Sequence, residues 1–97
     1  MSSVRNLKKD IDLIMSLALS DCFYVLEYNS KVNSAEVMKI ASEIIGKHRE
    51  FRLRTNHPDG KDNPKMIKKY YHQLVADMLN AADQALEKLS AEVKKTA

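Results

Sequence analysis

Glycine and proline number only two each in these 97 residues, and three of the four, Pro58, Gly60 and Pro64, fall within seven positions of one another. A chain with so few breakers cannot make the many tight turns of a small all-β protein. It can make long helices joined by one sharp turn near residue 60. The rest of the composition agrees: 44% hydrophobic, 30% charged, no Trp and one Cys exclude a disordered, collagen-like or disulfide-stapled chain. At this length one core is expected, so residues 1–97 read as a single helical-bundle domain.

Val4, Leu7, Ile11, Ile14, Ala18, Cys22, Val25 and Leu26 recur at three- and four-residue steps, which predicts a first helix over about 4–28. Leu13, Leu17, Phe23 and Tyr24 lie beside or behind that stripe, so this helix is either central in its bundle or shared with a second subunit. Residues 29–33 are polar and turn-prone, and Asn33 with Glu36 forms a capping-box variant that opens a second helix over 34–55. Its stripe is Val37, Ile40, Ala41, Ile44, His48 and Phe51, and Gly46 inside its span reads as a close-packing position. Pro58-Asp59-Gly60 is a turn, and Asn63-Pro64 is an N-cap followed by Pro at the first helical position. The third helix, 64–94, carries Ile67, Tyr70, Tyr71, Leu74, Met78, Ala81, Ala82, Ala85, Leu86, Leu89 and Val93. Short connections between three long helices give an all-α, up-down-up antiparallel bundle.

Net charge is +3, but Lys47 to Lys69 holds eight cations against three acids, leaving the rest of the chain slightly acidic. Such a band attracts phosphate or an acidic partner. Arg5, Lys8 and Lys9 ahead of an apolar stretch have the outline of a signal peptide, yet Asp10 and Asp12 interrupt it, and Asp21 spoils a lipoprotein box before Cys22. No apolar run approaches the roughly 20 residues that span a bilayer. The expected setting is the cytoplasm, with Cys22 a small buried hydrophobe.

The sharpest motif is His57-Pro58-Asp59 in the loop between two antiparallel helices, after a basic helix. It resembles the signature of the J-domain co-chaperones, and Ile67, Tyr71 and Leu74 repeat a spacing of that family's third helix. The resemblance implies stimulation of a partner chaperone's ATPase by this loop. Against it, the second helix is about two turns longer than the family's, and Arg49 and Arg52 stand where a J-domain buries Tyr and Leu. A second likeness covers more of the chain. The opening VRNLKKDI (residues 4–11), the polar break near residue 30 and the lysine-rich start of a last helix ending in LEKLS resemble a family of short bacterial helical proteins with no assigned activity.

His48, His57 and His72 lack metal-binding spacing, and one Cys cannot build a zinc ribbon, so no metal is expected. Placing Gly60 at the sixth position of an EF-hand loop puts Thr55 first and Met66 twelfth, where carboxylates are required. With no glycine-rich loop there is no phosphate cradle and no cofactor, and Cys22 on an apolar seam is silenced as a nucleophile. Arg49, Arg52, Arg54, His57, Asp59, Lys61, Lys65, Lys68, Lys69 and Tyr70 gather toward one end of the bundle as candidate interaction residues. They allow electrostatic, sequence-independent nucleic-acid binding, with Tyr70 and Tyr71 for stacking. The reading with the fewest assumptions is a non-enzymatic interaction or accessory module. The doubly apolar first helix, with Met15, Met38, Met66 and Met78 along the seams, further suggests a homodimer.

Overall fold

The computed structural model describes residues 4–56 and 63–97. They form α1 (Val4–Tyr28), α2 (Ser34–Arg54) and α3 (Pro64–Lys94), packed as an up-down-up bundle with extents of 52 × 19 × 18 Å. The two described N-caps work as their residue types dictate. Asn33 Oδ1 accepts from the Glu36 amide at 3.2 Å, and Asn63 Oδ1 accepts from the Lys65 and Met66 amides, with Pro64 following at the first helical position. The α1–α2 turn is closed by Asn29, whose backbone carbonyl and side-chain oxygen take the Val32 and Lys31 amides, while Val32 folds inward and is buried. Asn29 also donates to Thr96 Oγ1 at 3.0 Å, so the far ends of α1 and α3 sit together, as parallel first and third helices require.

The core is one seam. Leu7, Ile11, Met15, Ala18 and Cys22 of α1 meet Val37, Ile40, Ala41, Ile44 and Phe51 of α2, and Leu74, Met78, Ala82, Ala85 and Leu89 of α3 close it. Burial, with a smaller push from Asp21, raises the Cys22 thiol above its usual range and keeps it protonated. Ile14, Val25 and Leu26 of the expected α1 stripe are only half-buried, at its edges.

Three details differ from the sequence reading. Met15 and Met78 are in the seam, but Met38 and Met66 are about half exposed, because each lies off its helix's buried line. Helix α2 ends at Arg54, with Thr55 as its C-cap. Gly46 is not a close-packing position: a Cβ built there meets nothing within 4 Å. It sits on the exposed side of α2, where its only effect is to enlarge the conformational freedom of the unfolded chain. Gly46→Ala is therefore expected to stabilise the fold by about 0.5–1 kcal/mol, read as a higher urea midpoint at unchanged slope.

Candidate interaction surface

At the end of α2 the basic residues have separate fates. Arg52 Nη1 lies 2.6 Å from Asp12 Oδ2 of α1, and His48 Nε2 lies 2.7 Å from Asp12 Oδ1, so one carboxylate clamps two consecutive turns of α2. Arg54 reaches Asp77 of α3 at 3.0 Å, and its guanidinium lies 5.7 Å from the Phe51 ring centroid and 5.9 Å from that of Tyr70. Tyr70 Oη donates to the Arg54 carbonyl at 2.8 Å and Tyr71 Oη to the Thr55 carbonyl at 3.1 Å. Those are carbonyls that a helix C-terminus leaves without intrahelical donors. Both tyrosines are half-buried with their rings edge to face, and their hydroxyls close the end of α2.

Arg49, Lys65, Lys68 and Lys69 are exposed and have no ion-pair partner among the described residues. His57, Asp59 and Lys61, and with them the His-Pro-Asp loop, lie outside the described residues. Arg49 and Arg52, at the positions where a J-domain would bury Tyr and Leu, both face solvent. No group of three or more potential metal ligands occurs among the described residues. An open notch of about 280 Å³ between α2 and α3 is floored by Met15, Ile44, Ala81, Ala82 and Ala85, and its rim holds only the exposed Glu43, Lys47, Gln84 and Lys88.

The Asp12 clamp has a pH signature. The hydrogen bond from His48, then those from and the charge of Arg52, hold the Asp12 carboxyl below its ordinary value despite some desolvation. A depressed carboxylate contributes stability above its unfolded pKa and loses it as pH falls through the folded one. Asp12 is 44% exposed, so the contribution is at most about 1 kcal/mol. The difference in urea midpoint between wild type and Asp12→Ala is expected to be present at neutral pH, to begin shrinking as pH falls below about 4, the ordinary carboxyl value, and to be lost as pH passes the lowered value of folded Asp12.

The apolar surface lies elsewhere. Leu13, Leu17, Tyr24 and Tyr28 form a line on the side of α1 away from the core, each 58% to 68% exposed, and the Tyr24 and Tyr28 rings touch with centroids 4.6 Å apart. Flanking residues widen it. On α2, Met38 and Ile45 share a seven-residue line with Arg52, which marks the side that reaches α1, and Ile45 borders the same depression as Ser16. The antiparallel register set by Asp12 and His48 brings Phe23 level with Met38. On α3, Asp77 and Lys88 reach α2, while Leu79 and Leu86 lie across the buried line from them, on the α1 side. Nine of the eleven exposed large hydrophobics among the described residues thus belong to one face centred on α1; Leu53 and Met66 are the exceptions.

Composition and spacing pointed to the doubly apolar α1 but not to Tyr28, Ile45, Leu79 and Leu86, which join it only once the helices are rotated into place. No family model matches the chain, and neither a curated protein nor a solved structure matches it. Among the described residues no helix is long and apolar enough to cross a membrane.

Proposed function

We propose that this protein is a non-enzymatic protein-interaction module that works through the outer face of α1. The supporting observation is the collection of nine half-exposed large apolar side chains on that one face. Large apolar side chains gathered on one exposed face, instead of scattered singly, mark an interaction site. The two arginines and the tyrosines of the basic region are engaged within the chain, which leaves Arg49, Lys65, Lys68 and Lys69 as the accessible cations there. A cytoplasmic setting belongs to the same reading, with Cys22 kept as a thiol. The test compares wild type with Leu17→Asp in molecular mass and in the proteins captured from cells. The reading requires at least one of the two to change, and identical mass with an identical captured set removes it.

A further inference from the structure

We propose that the α1 face is covered by a second copy of the same chain, docked antiparallel along α1. This rests on the module reading and names its partner. The first half of α1 carries Arg5, Lys8 and Lys9 together with Asp10 and the Asp12 already paired to α2, whereas the only charges of its second half are the acids Asp21 and Glu27. That order opposes the helix's own dipole, since α1 has no acid in its first turn and no base in its last. A facing antiparallel copy reverses the conflict by laying each acidic end beside the other's N-terminus.

The register is specific. Lys9 and Glu27 are eighteen residues apart, about five turns, and so fall on one line of the helix. Both are exposed, neither has an ion-pair partner among the described residues, and their line borders the one formed by Leu13, Leu17 and Tyr24. A two-fold axis passing at the level of residue 18 sets Lys9 of each copy opposite Glu27 of the other, twice over. Leu13 then comes within one residue of the level of Tyr24 of the second copy, and the small Ser16 and Ser20 let the helices approach at the centre, where the outward line carries no charge. A parallel pair would set Lys9 against Lys9 and Glu27 against Glu27.

Sedimentation equilibrium on the whole chain tests the proposal. Wild type is expected to be dimeric at micromolar concentration, and Leu17→Asp to be monomeric with an unchanged helical spectrum, since Leu17 is 58% exposed and leaves the core intact. Lys9→Glu and Glu27→Lys are each expected to weaken the dimer about tenfold, and the K9E/E27K double variant to restore it to within a few-fold of wild type. A monomeric wild type, a dimer indifferent to Leu17→Asp, or a double variant no better than either single one overturns the antiparallel second copy. If wild type is monomeric but Leu17→Asp changes the set of captured proteins, the second copy is refuted and the module reading stands. If neither mass nor capture responds, both fall.

Discussion

Replacing Phe51 by alanine is expected to cost about 3–5 kcal/mol, a large part of the roughly 5–15 kcal/mol that holds a domain of this size together. Phe51 is 1% exposed in the last turn of α2. Its loss removes the apolar burial of the ring, leaves a cavity between rigid helices that can close only in part, and takes away the surface over which the Arg54 guanidinium lies. At about 4–8 °C per kcal/mol, the thermal midpoint should fall by about 12–40 °C. The chain supplies its own control: Phe23, the other phenylalanine, is 48% exposed, and under monomeric conditions its alanine variant should stay within about 0.5 kcal/mol of wild type. Melting followed by circular dichroism at low concentration separates the two. Equal losses would mean that α2 is rotated from the orientation described.

The placement of Pro58, Gly60 and Pro64, together with the polar break at residues 29–33 and the helical periodicity, is enough to read three helices and their order, because helix length and caps depend on neighbours in sequence. Asn33 and Asn63 cap as their types require, and the buried lines of α2 and α3 follow the three- and four-residue steps. What depends on one helix meeting another was less legible. Gly46 looked like a packing site because it interrupts a helix, but which side of α2 it occupies relative to α1 and α3 leaves it in open space. The basic band from Lys47 to Lys69 reads as one feature in sequence. In the bundle, Asp12 and Asp77, acids from two other helices with no neighbouring signal, take up Arg52 and Arg54. The apolar excess of α1 was visible from Leu13, Leu17, Phe23 and Tyr24, whereas its extension onto Met38, Ile45, Leu79 and Leu86 required the register between helices.

The double variant Tyr70→Phe/Tyr71→Phe tests whether the basic end is built for stability before it is built for contact. Each substitution keeps the ring and deletes one hydroxyl, so packing changes little while the Arg54 and Thr55 carbonyls lose their donors. Burial, then the neighbouring Tyr70, raises the Tyr71 phenol above its usual value, so that hydroxyl remains a donor throughout the neutral range. Thr55 is 2% exposed, and its own hydroxyl is already committed to the Arg52 carbonyl at 2.6 Å, so no nearby side chain replaces the lost donors. Removing one partner of a part-buried hydrogen bond costs about 1–1.5 kcal/mol, so the pair should cost about 2–3 kcal/mol in urea unfolding. The amides of the last α2 turn should lose hydrogen-exchange protection before those near Ile40, since the substitution loosens an end and leaves the seam intact. A double variant as stable as wild type would mean that water satisfies these carbonyls equally well, and Tyr70 would then return to the surface as a residue available for partners.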